Sequence, residues 1–295
     1  MRHRDRAPLE DAAPLLRCPH CASDVTIAKG GVVCARAHRF DVARQGYVNF
    51  RVGRPSGGEG DTADMIAARD RFLEAGHYAP LAAALAEEAA GLVERCSDGA
   101  GILDLGAGTG YYAARALEAA PSGVGVAVDV SKAAARRAAR AHPRLASVVA
   151  DATRDLPLRG GAFAAVLSAF APRDPDEIAR VLERRGAWLV AAPRAEHLSD
   201  LASTLGLLGI DARKESRLLE RARPKFALTA QRRVDIALTL SPETAEDLVR
   251  MGPSAFHISD DTLRERIAGL GPLPIRVPAA FVIYRFEPQG PPSRS

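Results

Sequence analysis

The chain has 295 residues, 47% of them hydrophobic and 26% charged, which is enough to bury a substantial core without disulfide staples. Its 40 Lys and Arg against 36 Asp and Glu leave a net charge of only +4, too small an excess to argue for nucleic acid by itself. No run of about 18 apolar residues offers a membrane span, and the first ten residues, MRHRDRAPLE, lack the apolar segment of a signal peptide; a cytoplasmic protein with no membrane partner is expected.

Residues 1–50 are polar and turn-rich, and short alternating runs such as Gly31-Val32-Val33-Cys34 predict a small β-rich knuckle. Three of the four cysteines fall in it. Cys18-Pro-His-Cys21 and Cys34-Ala-Arg-Ala-His38 form a C-x2-C-x12-C-x3-H pattern, which can place three thiolates and one imidazole at the corners of a tetrahedron. Four protein ligands leave no open position for water, so the predicted zinc ion is structural. His20 lies inside the first knuckle and competes with His38 as fourth ligand, but a residue between two ligating cysteines tends to point away, which favours His38. The fourth thiol, Cys96, reads as a small hydrophobe at a helix end.

Residues 51–61, RVGRPSGGEGD, are rich in Gly, Pro and Ser and read as a flexible linker to a second domain over 62–295. Thr62 is placed to cap a helix running to Gly76, and a longer Ala- and Leu-rich helix follows from Pro80 to about Cys96. From residue 101, apolar runs alternate with helical segments: ILDL, VGVAVDV, SVVAD, FAAVLSAF and AWLVAAP, with helices between them. That alternation predicts an α/β domain with a doubly wound, mostly parallel sheet. Two further β-like runs, RRVDIALTL and RVPAAFVIYRF, flank the helical SPETAEDLVRM near the C-terminus, and their pairing is left open.

Leu103-Asp104-Leu105-Gly106-Ala107-Gly108-Thr109-Gly110 follows the first of these strands and opens a helix. Glycines at alternate positions let the backbone approach a ligand closely. The spacing of Gly106, Gly108 and Gly110 departs from the dinucleotide fingerprint, and Asp104 can face a methionine ammonium, so S-adenosylmethionine is the expected cofactor and the domain is of the class I, Rossmann-like methyltransferase type. Asp129 ends the next strand, where a carboxylate can accept from both ribose hydroxyls. Asp151 ends the third, within reach of an adenine amino group. The fourth strand ends in Ser168-Ala169-Phe170-Ala171-Pro172-Arg173 and lacks the Asn- or Asp-Pro-Pro-aromatic motif that grips exocyclic amines, which favours a ring nitrogen or another acceptor.

These motifs resemble the RlmA-type 23S rRNA (guanine-N1)-methyltransferases, and most closely their actinobacterial macrolide-resistance branch. The likeness extends over Arg39 to Asn49, Gly76-His77-Tyr78, Leu103 to Tyr112, Asp129 to Lys132, Phe170-Ala171-Pro172, Glu196-His197-Leu198 and Met251 to His257. It implies an N-terminal zinc-binding RNA-recognition domain and a homodimer. It also implies methyl transfer to N1 of a guanine in a 23S rRNA hairpin near the peptide exit tunnel, with macrolide resistance as an outcome. On this resemblance Cys18, Cys21, Cys34 and His38 hold zinc, while Tyr78, Gly110, Tyr111, Tyr112 and His197 contact the cofactor. Phe256 and Phe50 depart from the residues most relatives carry there.

Between Arg213 and Arg233, eight basic residues face Glu215 and Glu220, a local net charge of +6. With Arg36, Arg39 and Arg44 in the knuckle, this run is a candidate phosphate track, although a solvated helical face explains it as well. Tyr47, Phe50 and Phe256 are candidate stacking platforms for an unstacked base, or core residues. Guanine N1 carries a proton at neutral pH, and Asp174 and His257 are candidate bases to remove it, or else plain loop residues. Two rival readings stay open, a small-molecule methyltransferase with a structural zinc knuckle and a non-catalytic RNA- or ribosome-binding module.

Overall fold

Two sheets organise the described part of the chain in this computed structural model, which describes residues 7–28, 31–52, 60–171, 173–205, 211, 213–271 and 274–289. A short helix, α1 (Ala7–Ala12), leads into a three-stranded antiparallel sheet of β1 (Val25–Ala28), β2 (Gly31–Cys34) and β3 (Arg39–Asp41). The next strand, β4 (Tyr47–Asn49), leaves that ribbon and pairs in parallel with β7 (Leu145–Val149), opposing Tyr47 to Ser147. The strand that closes the first fifty residues is therefore one edge of the large sheet.

Thr62 caps α2 (Ala63–Glu74) by accepting from the Met65 amide, as its position in the sequence predicts. Gly76 then adopts a left-handed conformation and separates α2 from α3 (Ala79–Arg95). The alternating segment forms β5 (Gly101–Leu105), α4 (Tyr111–Ala119), β6 (Gly125–Asp129), α5 (Lys132–Ala138), β7, β8 (Phe163–Ala169), α6 (Pro175–Val181) and β9 (Leu182–Pro193). Helix α7 (Ser199–Leu205) and helix α8 (Lys214–Ala222) follow. The chain then runs through β10 (Phe226–Leu240), α9 (Pro242–Arg250), a 3-10 turn at Pro253–Phe256, α10 (Asp260–Ala268) and β11 (Ile275–Pro288).

The large sheet has the order β10-β11-β9-β8-β5-β6-β7-β4. The strands from β4 to β9 are parallel, while β11 runs antiparallel to β9 and β10 antiparallel to β11. The doubly wound α/β expectation thus holds, and the C-terminal pairing left open by the sequence is a long antiparallel pair, connected through α9 and α10, on the edge away from β4. Strand β5 sits at the switch point, with β6 on one side and β8 on the other, and ligands bind outside the carboxyl ends of strands there.

Each face of the sheet carries a core. One core joins Leu81, Leu85, Leu117, Leu167, Leu189 and Phe281 beneath α3, α4 and the C-terminal helices. The other joins Val126, Val148, Val166 and Trp188 to the ribbon residues Cys18, Val25, Val32 and Cys34, and to Leu218 and Ala222 of α8. The zinc-type ribbon and the basic helix α8 therefore cover the same face. Cys96 is half-buried against the first core, in line with its reading as a hydrophobe. No described helix is long and apolar enough to cross a membrane.

Candidate active site and metal centre

The ribbon brings Cys18, Cys21, Cys34 and His38 together, with their ligand atoms all within 4.8 Å of one another. The Nδ1 atom of His38 lies 3.5 Å from Cys18 Sγ and 3.4 Å from Cys34 Sγ, and Cys21 Sγ lies 3.7 Å from Cys34 Sγ. Bonds of about 2.0–2.3 Å from zinc to nitrogen and sulfur give tetrahedral edges of roughly 3.5–3.8 Å, so the donor set fits the ion. Burial works against a Cys34 thiolate, yet hydrogen bonding from Ser23 and from the backbone of His38 and Arg36 brings the thiol down to about 6. A knuckle that stabilises thiolate in this way is prepared for a cation. His20 takes no part, since its ring stacks on Phe40 at 5.7 Å.

The glycine-rich loop crosses the end of β5. Gly106, Gly108 and Gly110 all have positive φ, and at Gly106 space is decisive, because a Cβ there would lie 2.4 Å from the Ala171 Cβ. Asp104 is buried at 1% exposure, and burial raises its carboxyl to about 7, against a hydrogen bond from the Ala113 amide and with a further push from Asp129. Its Oδ2 has no partner.

Two more buried polar atoms without partners belong to the same region, the Tyr112 hydroxyl and His197 Nδ1. Burial, then repulsion from Tyr78, Tyr111 and Asp104, drives the Tyr112 phenol well above its ordinary range, and ring contacts join Tyr112 to Tyr111 at 5.4 Å and Tyr78 to His197 at 6.5 Å. Tyr78 packs edge-on against Phe72 and Phe281, and His197 lies 4.6 Å from Phe281, ring centre to ring centre. Desolvation holds the His197 imidazole near 4, hence neutral at physiological pH. Buried polar groups are rarely left unpaired in a native protein unless a ligand completes them. A carboxylate, a phenol and a neutral imidazole fit a small zwitterion such as the methionine end of S-adenosylmethionine.

Asp129 closes β6 and accepts from the Gly108 and Ser131 amides, each at 2.8 Å. These bonds fix the carboxylate and still leave lone pairs for ribose hydroxyls. Asp151 accepts from the Thr153 amide and hydroxyl and borders a cavity of about 470 Å³ that Pro19, Phe50 and Arg51 line from the ribbon side. The three predicted carboxylates thus lie in order along neighbouring strand ends.

The remaining sequence candidates separate. Tyr47 and Phe50 are buried, and Phe50 packs edge-on against Phe40, so both are core rather than stacking platforms. Strand β4 draws them inside by joining the sheet. Phe256 stays 58% exposed, and the neighbouring His257 is exposed as well. Asp174 caps α6 by accepting from the Asp176 amide. In the basic segment, Arg213 and Arg217 pair with Asp211, Lys225 with Asp176 and Arg232 with Glu87, so part of the local +6 is offset by acids outside the segment.

Three residues escaped the sequence reading. Arg69 pairs with Asp61 at 2.6 Å and donates to the Met251 carbonyl at 2.6 Å, with its guanidinium against Gly108. Phe170, at the end of β8, is 43% exposed, has positive φ and lies within ring contact of Tyr112 and Phe281. Arg173 follows it, with Nη1 buried and unpartnered. The missing proline-rich motif over Ser168 to Arg173 and the family likeness at Phe170-Ala171-Pro172 signalled that loop without giving these side chains a role, and Pro172 lies outside the described residues.

Residues 102–189 match the family described as a methyltransferase domain, and residues 16–50 match the RlmA N-terminal zinc ribbon. The chain is 46% identical over 259 residues to a 23S rRNA (guanine(748)-N(1))-methyltransferase of Streptomyces fradiae, covering 86% of this chain and 90% of that protein. It is 44% identical over 293 residues to a provisionally named 23S rRNA (guanine-N1)-methyltransferase of Micromonospora griseorubida, covering 94% of this chain and 99% of that one.

Proposed function

Because the chain belongs to the 23S rRNA (guanine-N1)-methyltransferase family, we propose that it methylates N1 of one guanine in a 23S rRNA hairpin loop near the peptide exit tunnel. The observation that carries the reaction is the trio of unpartnered buried polar atoms on Asp104, Tyr112 and His197 beside a glycine loop. S-adenosylmethionine supplies an electrophilic methyl group on sulfur. Asp104 would hold its ammonium and Asp129 its ribose, while Asp151 stands at the adenine end. Tyr78, Phe281 and the neutral His197 exclude water around the methionine portion.

On the acceptor side, the exposed ring of Phe170 offers a face on which an unstacked guanine can lie. In-line transfer gains most of its rate from holding acceptor and methyl at near-attack distance, and Phe170, in ring contact with Tyr112, provides that ledge. The N1 proton must also leave. Asp174 is committed to its helix cap, whereas His257 sits in the exposed turn that follows Met251, which Arg69 fastens to the cofactor loop. We assign proton acceptance to His257.

The ribbon at 1–50 serves as the RNA-recognition module, and its placement with α8 on one face of the sheet supports a shared RNA surface. The resemblance further favours a cytoplasmic homodimer whose product protects ribosomes from macrolides, with sedimentation velocity and drug-susceptibility assays as the respective checks.

The central experiment transfers labelled methyl from S-adenosylmethionine to 23S rRNA from a strain lacking the enzyme and maps the modified base, beginning at the position named for the Streptomyces fradiae relative. Label on N1 of a single hairpin guanine is expected. Bound cofactor with no label in RNA would remove the ribosomal assignment and redirect the search to small-molecule acceptors. Within the active enzyme, His257→Ala should lower kcat more than Asp174→Ala.

A further inference from the structure

Two arginines come together just after β8 with no acid paired to either among the described residues. Arg173 follows β8 three residues after Phe170, and its Nη1 atom is buried with no hydrogen-bond partner. Arg221, on α8, reaches across to the Arg173 carbonyl, donating at 3.5 Å. Among the described residues neither side chain has an acidic partner. The nearby acids are engaged elsewhere: Asp176 pairs with Lys225 at 3.1 Å, and Asp174 caps α6.

This arrangement is unfavourable in the free protein. Burial, with repulsion from Arg221 added, lowers the Arg173 guanidinium to about 10, in a residue type whose charge is normally insensitive to its surroundings. An arginine that only filled space would be expected to find a carboxylate or carbonyl for its donors.

We propose that Arg173 and Arg221 form an anion subsite that takes a phosphodiester group of the substrate RNA beside the target guanine. This assignment rests on the ribosomal RNA reading. The cofactor carboxylate is a poorer occupant, since Tyr78, Tyr112 and the helices around the methionine site pack in the core on one face of the sheet, whereas α8 packs on the other. A phosphodiester fits the fork of a guanidinium, and a splayed-out loop nucleotide carries one on each side. With Phe170 three residues earlier, the loop after β8 would hold the base by its ring and the backbone by its arginines.

The test measures binding of a 23S rRNA hairpin fragment at several salt concentrations for the full-length zinc-loaded protein and for Arg173→Met and Arg221→Met. Cofactor affinity by calorimetry and thermal midpoints with and without inorganic phosphate are recorded alongside. Each substitution should weaken RNA binding by about tenfold and reduce the slope of log affinity against log salt by about 0.7, with cofactor affinity unchanged. Arg173→Met should raise the thermal midpoint in phosphate-free buffer, because it removes an unpaired buried charge. Inorganic phosphate should stabilise the wild type and not the variants.

Unchanged RNA affinity and salt slope in both variants would overturn the subsite, as would a lowered midpoint for Arg173→Met with RNA binding intact. A wild type that ignores the rRNA fragment while phosphate stabilises it through Arg173 would overturn the ribosomal reading and leave the anion subsite standing.

Discussion

Arg69 donates to the carbonyl of Met251, a residue 182 positions away, at 2.6 Å, and with the same guanidinium pairs with Asp61 at 2.6 Å. One side chain of α2 thereby holds the turn after α9 and the approach to α2 against the Gly108 loop. The two bonds are partly screened, since the Arg69 side chain is a quarter exposed. Removing them with Arg69→Met should weaken cofactor affinity by about tenfold, within the range for hydrogen bonds to charged groups. Amide hydrogen exchange should rise together in residues 63–74 and 251–256. Calorimetry with exchange mass spectrometry checks this, and faster exchange confined to α2 would refute the link to Met251.

The elevated Asp104 carboxyl sets a pH dependence. In the free protein, burial raises it to about 7, so at pH 6 most of the population carries a protonated acid that cannot pair with an ammonium. Cofactor affinity should fall by about tenfold between pH 8 and pH 6, one decade per unit below the free-protein value. The free protein should behave in the opposite sense. A carboxyl raised on folding contributes stability at low pH and loses it as pH climbs through about 7. Asp104→Asn should flatten both profiles, read by calorimetry and by thermal midpoint across the same pH series.

At Gly106 two constraints act together, a left-handed backbone and a 2.4 Å approach of a would-be Cβ to Ala171. Gly106→Ala should destabilise the protein by about 1–3 kcal/mol and abolish measurable cofactor binding. Adding Ala171→Gly relieves the clash but not the backbone strain. The double variant should therefore recover stability only in part, a non-additivity that denaturant titration resolves.

The sequence and the structure diverge where distant segments meet. Strands β5 to β9, the Asp104 to Gly110 loop and the four metal ligands were legible because alternation of apolar runs, glycine spacing and cysteine spacing are local patterns. Arg69 was not, because its partner Met251 lies 182 positions away in the sequence. Tyr47 and Phe50 read equally as stacking platforms and as core, and the pairing of β4 with β7 shows why they are buried. The run before Val234 hid the first half of β10, since its residues 227–233 are all exposed and carry no alternation.

The ribbon offers a discrimination between two histidines. His38→Ala should lose bound metal, measured by elemental analysis, and lower the thermal midpoint, because a structural zinc ion contributes directly to folding. His20→Ala should keep one metal per chain, since that ring stacks on Phe40 and stays outside the donor cluster. Equal metal loss in both variants would undo the ligand assignment.

The pairing of Tyr47 with Ser147 also governs the order in which the chain acquires structure during synthesis. The ligand pattern is complete once His38 has emerged, so metal can close the ribbon early. Strand β4 then waits for a partner some hundred residues downstream, on the order of ten seconds at ordinary translation rates. Through that interval its apolar residues Tyr47 and Val48 have no sheet to enter, and a metal-free ribbon would offer a nascent-chain chaperone a longer exposed segment to bind.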